Sequence, residues 1–349
     1  MQTLAQRDMQ FYIQKLVDRQ NLDGEEAKDA MRCIMSGRAT QSQIGGFLTA
    51  MRMKGVSVPE ITAFALVMRE FAVNIRPHVD KRLVDMCGTG GDTIKTFNIS
   101  TAASFVVAGA GVPVAKHGNR SVTSKSGSAD VLEALGAKID LRPAEVERMI
   151  EDMGFGFMFA PVFHSAMKHA LGPRKEIGIR TIFNLLGPLT NPASARAQVM
   201  GVYDEALVEP IGRVLANLGV ERALVVHGVG GLDEASTFGP TRICEIDHGR
   251  TSSYAIDPGE VGLPRATVSA LAGGDSKANA AIVRGILNGK EHGPRRDIVL
   301  LNSACGIYVG GAAGSVGEAI EVAKDTIDSG RASDKLNEYV RRSINGVVP

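Results

Sequence analysis

The chain has 349 residues, a formal net charge of +1, no tryptophan and 40 glycines, a glycine share well above the usual ~7%. So balanced a charge makes no case for a nucleic-acid or acidic-membrane partner, since such surfaces are held by clustered Lys and Arg. A hydrophobic content of 44% excludes disordered and fibrous classes, and the length suggests two domains.

Cys33, Cys87, Cys244 and Cys305 lie too far apart for a C-x-x-C metal or redox pattern. The N-terminus is interrupted by charges every few residues, and no run approaches the ~20 apolar residues of a membrane span. A soluble protein in the reducing cytoplasm is expected.

Up to about residue 75 the apolar spacing is helical. Ile13, Leu16 and Val17 share one face. Asp23 with Glu26, Thr40 with Gln43 and Ser57 with Glu60 form capping boxes ahead of three further helices, with Pro59 in the first turn of the last. Gly37 and Gly55 stand where C-caps belong. Residues 1–75 therefore read as a small all-helical domain.

From about residue 80 short apolar runs alternate with helical segments. The runs are Leu83–Met86, Val112–Ala115, Gly154–Phe159, Val199–Val202, Ala223–Val226 and Ile298–Leu301. This alternation predicts βαβ units around a largely parallel sheet, with ligands bound in loops at the carboxyl ends of strands. Pro173 to Pro192 reads as a helix ended by Gly187-Pro188 that interrupts the alternation.

Three loops concentrate chemistry. In Leu83–Asp92 a strand runs into Gly88, Gly90 and Gly91, and a helix opens later at Asn98-Ile99-Ser100-Thr101, where Asn and Ser are good N-caps. Glycines let backbone N–H groups approach a phosphate, and a helix N-terminus adds donors and a positive dipole end; a plain tight turn is the competing reading. The spacing matches neither G-x-x-x-x-G-K-[ST] nor G-x-G-x-x-G. The second loop, Lys116 to Ser128, packs three cations and five hydroxyls into thirteen residues, with Gly118 and Gly127 allowing close approach. A solvated basic loop does not explain that hydroxyl density, and an anion site does. In the third, His227 to Ser236, Asp233 and Glu234 follow a glycine segment, and adjacent carboxylates there can hold Mg²⁺ shared with substrate phosphates.

In order, Gly88-Thr89-Gly90-Gly91-Asp92, Asn98-Ile99-Ser100-Thr101, Lys116-His117-Gly118-Asn119-Arg120 with Ser128-Ala129-Asp130, Arg174 through Pro192, and Leu232-Asp233-Glu234 resemble the anthranilate phosphoribosyltransferase family over nearly the whole chain. The resemblance implies transfer of a phosphoribosyl group from phosphoribosyl pyrophosphate to anthranilate, the second step of tryptophan biosynthesis, by a Mg²⁺-dependent homodimer. No glutamine amidotransferase module precedes the motifs, so the monofunctional form is expected. The implied fold is a small N-terminal helical domain, 1–75 with about 173–192 packing on it, and a large α/β domain of the nucleoside phosphorylase type, 80–170 and 195–349. The helical domain is the expected dimer interface.

Carried over motif by motif, Gly88, Gly91, Asp92, Thr96, Asn98, Ile99, Ser100 and Thr101 resemble the first half of the phosphoribosyl pyrophosphate site. Lys116, His117, Gly118, Asn119, Arg120, Ser121, Val122, Thr123, Ser124 and Ser128 resemble the second half. Ser100, Asp233 and Glu234 look like the Mg²⁺ ligands, and Gly88, Asn119 and Arg174 like the anthranilate contacts. Lys116, Asp233 and Glu234 are the expected catalytic groups, stabilising charge on the departing pyrophosphate. His117 is either a proton acceptor or a packing residue. One departure is Gly230, where the family usually carries an acidic residue. The nearest enzyme rival is a pyrimidine nucleoside phosphorylase of the same fold, which the Arg174 and Leu232-Asp233-Glu234 motifs disfavour. A nucleic-acid-binding relative of the fold would be strongly basic, which this chain is not.

Overall fold

Three of the first four helices begin at the capping boxes read from the sequence, and each box closes in both directions. The computed structural model describes residues 8–91, 94–121 and 125–346. The first helices are α1 (Met9–Val17), α2 (Gly24–Met35), α3 (Gln41–Lys54) and α4 (Val58–Glu70). At α2, Asp23 Oδ1 accepts from Glu26 N at 2.9 Å while Glu26 Oε2 accepts from Asp23 N at 3.0 Å. The alternating part follows: β1 (Val84–Gly88), α5 (Ile99–Gly109), β2 (Val114–Gly118), α6 (Ser128–Ala134), α7 (Pro143–Met153), β3 (Phe155–Phe159) and the short α8 (Ala160–Phe163). Next come α9 (Lys168–Ile177), α10 (Phe183–Leu186), β4 (Ala197–Gly201), α11 (Val208–Asn217), β5 (Arg222–Gly228), β6 (Thr241–Asp247) and β7 (Arg250–Ile256). Four helices close the chain: α12 (Ser276–Leu287), α13 (Pro294–Val309), α14 (Val316–Asp328) and α15 (Arg331–Asn345).

The chain divides into two compact units, Met1–Val73 with His164–Thr190, and Asn74–Phe163 with Asn191–Pro349. In the first, α2 packs on α4, α1 on α3, and α9 on α3. Gly37, in the left-handed region at φ +74°, lies so near the His169 ring that a Cβ would sit 2.6 Å from it. The Glu60 carboxylate, fully buried, joins three segments of this unit. It pairs with Lys54 Nζ at 2.9 Å and accepts from Leu22 N at 3.0 Å and from Ser57 Oγ at 2.7 Å.

The second unit is built on one seven-stranded sheet of order β3-β2-β1-β4-β5-β6-β7. The pairings from β3 through β5 are parallel; β5-β6 and β6-β7 are antiparallel. The core centres on α5, buried from Ile99 to Ala108 apart from Ser100, and on the ring cluster of Phe105, Phe155 and Tyr339.

Three expectations need correction. Ile298–Leu301 is not a strand but part of α13, which opens with Pro294 at its first position. That helix is buried from Ile298 almost to its end, and burial on every face erases the 3.6-residue period that distinguishes helix from strand. The strands β6 and β7 were not expected; His248 (φ +47°) and Gly249 (φ +81°) join them in a tight turn with both central residues left-handed, as hairpin twist demands. The helix expected over 173–192 is instead α9, which ends where Gly178 adopts φ +67° and donates to Arg174 O, followed by α10 and a turn of 3₁₀ helix at Gly187–Leu189.

Removing Glu60 takes the carboxylate from the buried Lys54 ammonium and the acceptor from Leu22 N, Ser57 N and Ser57 Oγ. Glu60→Ala is expected to cost the helical unit about 3–5 kcal/mol, while Lys54→Met combined with Glu60→Leu recovers most of it. Urea unfolding followed by far-UV circular dichroism reads both variants, and a loss under ~1 kcal/mol for the single variant would contradict the argument.

Candidate active site

The strand order fixes where a site can form. From β1 the chain steps to β2 and β3 on one side and to β4 and β5 on the other, so β1 and β4 flank the topological switch point. Parallel pairing sends the loops after β1, β2, β4 and β5 to one edge, which is where open α/β sheets bind ligands.

The loop after β1 turns through Gly90 and Gly91, both left-handed (φ +67° and +78°), a conformation costly for any residue with a Cβ. Thr89 N donates to Gly201 O at 2.9 Å, tying the loop to the end of β4. The loop after β5 doubles back: Gly228 N donates to Leu232 O and Leu232 N to Gly228 O, around left-handed Gly230 and Gly231. This directs Asp233 and Glu234 across the end of β4 toward β1. Asp233 Oδ2 accepts from Gly90 N at 2.7 Å, and Glu234 Oε1 accepts from Ser100 N, in the first turn of α5, at 3.2 Å. Two glycines permit the crossing. A Cβ on Gly88 would sit 2.5 Å from Asp233 Oδ2, and one on Gly201 would overlap the Asp233 carbonyl oxygen. Asn302, fully buried on α13, anchors the next residue by accepting from Ala235 N and donating to Ala235 O, both at 2.9 Å.

Beneath the loop lies a buried charged layer. Lys116, 2% exposed, donates from Nζ to Met86 O at 2.5 Å and to Ser100 Oγ at 3.3 Å. Burial lowers its pKa, opposed by the charges of Asp85, Cys87 and Glu234. Asp85 accepts from His117 N at 3.2 Å; burial pushes its carboxyl up to about 6, against the pull of Asn191 and Lys116. His117 is buried beside this layer.

In the loop after β2, Gly118 has no room for a Cβ beside Ser128 Oγ. Asn119 is exposed; its carbonyl accepts from Ala129 N and Ser128 Oγ, and Asp130 closes the loop by accepting from Ser121 N at 3.0 Å and Gly127 N at 2.8 Å. Arg120 points away toward α6, paired with Asp130 at 3.0 Å and with Glu133, its guanidinium over the Phe159 ring. Ile99 and Thr101 are buried in the first turn of α5. Thr96 bridges to Ala272. Asn98 precedes α5 as expected but makes no side-chain cap; its amide turns instead to Ser126 and Asn279. Asp92, Val122, Thr123 and Ser124 lie outside the described residues. Arg174 belongs to the helical unit, half-buried on α9, with its guanidinium 5.2 Å from the Phe183 ring centre. Among the described residues it has no carboxylate partner, and burial lowers its pKa.

The sequence compares closely with known proteins. Residues 80–333 match the model described as glycosyl transferase family, a/b domain, and residues 10–72 match its helical bundle domain. An anthranilate phosphoribosyltransferase of Acetivibrio thermocellus is 55% identical over 94% of each chain, and one of Methanocorpusculum labreanum is 56% identical over 94% of this chain and 96% of its own. The chain belongs to the anthranilate phosphoribosyltransferase family. The crystal structure of the Thermus thermophilus member superposes with a TM-score of 0.91 at 44% identity, covering 95% of this chain and 99% of that one. The Saccharomyces cerevisiae member, solved in complex with PRPP (phosphoribosyl pyrophosphate) and Mg, gives 0.89 at 28% identity over 97% and 98% of the chains. The helical bundle and the mostly parallel α/β sheet expected from the sequence are those of the family.

Gly201, Asn279 and Asn302 organise this edge and escaped the sequence reading. A glycine ending a strand and asparagines inside helices carry no periodic or motif signal; only their partners reveal them. Gly201→Ala is expected to push Asp233 off the β1 loop and weaken binding of magnesium pyrophosphate about tenfold or more by calorimetry, with helical and strand content retained. Unchanged affinity would show that the close approach is dispensable.

Proposed function

We propose that the protein transfers the 5-phosphoribosyl group of phosphoribosyl pyrophosphate to the amine of anthranilate, giving N-(5-phosphoribosyl)anthranilate and pyrophosphate. The observation that carries this reading is the meeting of Asp233 with Gly90 and of Glu234 with Ser100 above buried Lys116, at the switch point of a parallel sheet. The sequence and structural kinship, including the yeast relative solved with PRPP and Mg, supports it.

The donor set of Asp233, Glu234 and Ser100 suits Mg²⁺, a hard cation that prefers oxygen. Such an ion is shared with the substrate's phosphate oxygens. When bound, Mg²⁺ neutralises charge growing on the leaving pyrophosphate. The chain's own groups act alongside. Backbone N–H groups of the left-handed Gly90-Gly91 turn and the N-terminus of α5, where Gly90 N and Ser100 N donate to Asp233 and Glu234, become donors to phosphate oxygens when those carboxylates turn to the cation. Lys116, held under Ser100, adds a fixed cation in a desolvated place where its field is least screened. The ribose C1–O bond breaks with its electron pair leaving on pyrophosphate, the uncharged anthranilate nitrogen forms the C1–N bond, and that nitrogen then gives its proton to the released pyrophosphate or to a base. No base is needed before attack; His117 stands either as the acceptor of the proton released afterwards or as a packing residue.

For the acceptor, the half-buried Arg174 guanidinium, without a carboxylate of its own, supplies the fork that a planar carboxylate fits. The protein works as a homodimer through its helical unit, where Val17, Met53 and Leu171 leave large apolar side chains exposed. Its compartment is the cytoplasm; among the described residues no helix is long and apolar enough to cross a membrane.

Mixing the protein with anthranilate, phosphoribosyl pyrophosphate and Mg²⁺ is expected to quench anthranilate fluorescence, with the loss stopped by a chelator. No quenching by folded protein refutes the assignment. Arg174→Ala is expected to raise the KM for anthranilate about tenfold or more, the scale of one charge-assisted hydrogen bond, and that for phosphoribosyl pyrophosphate less than about twofold. Equal shifts in both would remove Arg174 from its role.

A further inference from the structure

Asn98 stands at the entrance to α5, in the loop assigned to phosphate, yet its side chain turns into the protein. Its Nδ2 donates to Ser126 O at 3.1 Å, and its Oδ1 accepts from Ser126 Oγ at 3.2 Å and from Asn279 Nδ2 at 3.0 Å. Ser126 belongs to the loop after β2, and Asn279 lies on α12, far along the chain. One amide therefore links both phosphate loops to a distant helix.

Asn279 is itself held firmly. It is 2% exposed, and its Oδ1 accepts from Gly274 N at 2.7 Å. The stretch before it runs along the first loop: Ala272 bridges Thr96, Gly273 N donates to Lys95 O at 3.1 Å, and a Cβ on Gly273 would meet Thr96 O at 2.6 Å. Asp275 caps α12 by accepting from Ala278 N at 2.8 Å, making no bond to Asn98. Every polar atom of the Asn279 side chain is thus committed either to its own turn or to Asn98.

We propose that Asn279 is a positioning residue of the phosphoribosyl pyrophosphate site. It fixes the Asn98 amide with Oδ1 toward α12 and Nδ2 toward Ser126, and so holds the loop after β2 in register with the N-terminus of α5. Without its donor, the Asn98 amide keeps only its two bonds to Ser126, and the tie from the two loops to α12 is lost. The inference rests on the assignment of these loops to phosphoribosyl pyrophosphate.

The test compares Asn279→Asp, Asn279→Ala and Asp275→Ala in the fluorescence assay, with thermal unfolding measured for each. Asn279→Asp keeps the acceptor for Gly274 N and replaces the donor facing Asn98 Oδ1 by an oxygen. Both Asn279 variants are expected to raise the KM for phosphoribosyl pyrophosphate about tenfold, the scale of one buried hydrogen bond, with the KM for anthranilate changed less than about twofold. Asp275→Ala, which weakens the same helix without touching Asn98, is expected to lower the melting temperature and leave both KM values in place. A KM for phosphoribosyl pyrophosphate unmoved by Asn279→Asp overturns the proposal, as does an equal rise in Asp275→Ala. An inactive wild-type protein would instead refute the assigned reaction, so the two failures are distinct. Calorimetric titration with magnesium pyrophosphate gives the same comparison without turnover: about tenfold weaker binding in the Asn279 variants is expected, and unchanged binding counts against the role.

Discussion

The structure of this site depends on one close approach, the Asp233 backbone laid directly over Gly201 at the end of β4. The carboxylates arise on the loop after β5, and the glycine turn they serve follows β1; β4 lies between the two strands. A loop can cross the end of an intervening strand at backbone contact only where that strand ends without a side chain. With Gly201 beneath and Gly88 opposite, Asp233 reaches Gly90 N and Glu234 reaches Ser100 N. The carboxylates then sit against N–H groups suited to anions, an arrangement in which a divalent cation and a polyphosphate can both find partners.

The layer below has a different energetic character. Lys116 and Asp85 are charged side chains removed from water at the carboxyl end of the sheet, and such burial costs more than an exposed pair would return. The opposed shifts in their pKa values record that cost: the carboxyl is driven up and the ammonium down, each partly restored by the other. What the layer supplies is a cation fixed beneath Ser100, set in place before any ligand arrives, so no reorganisation is needed when negative charge develops above it.

Much of this protein was legible without coordinates because its signals are local. Capping boxes at Asp23, Thr40 and Ser57 work through residues three apart, and all three close as read. Five of the six apolar runs became strands, and glycine with hydroxyl and carboxylate residues marked the loops where chemistry collects. The sixth run failed for a physical reason: α13 is buried so completely that its sequence lacks the polar face by which a helix is recognised. The β6–β7 hairpin carried only the weak signal of His248-Gly249 between an inner strand and the edge strand β7.

The sequence by itself determined the local elements, the motif order that marks the family, and the residue types able to hold phosphate and a hard cation, since each follows from neighbours a few positions apart. Only the tertiary structure decided which of those residues meet. Asn98 could be read as a helix cap, yet its amide serves Ser126 and Asn279; Arg120 could be read as a phosphate ligand, yet it pairs with Asp130 and Glu133. Gly201 and Asn302 matter only because β4 and α13 bring them against the segment that carries Asp233 and Glu234. Such roles depend on contacts between residues tens to hundreds of positions apart, and the geometry that creates them exists only once the sheet is assembled and its crossing helices are packed.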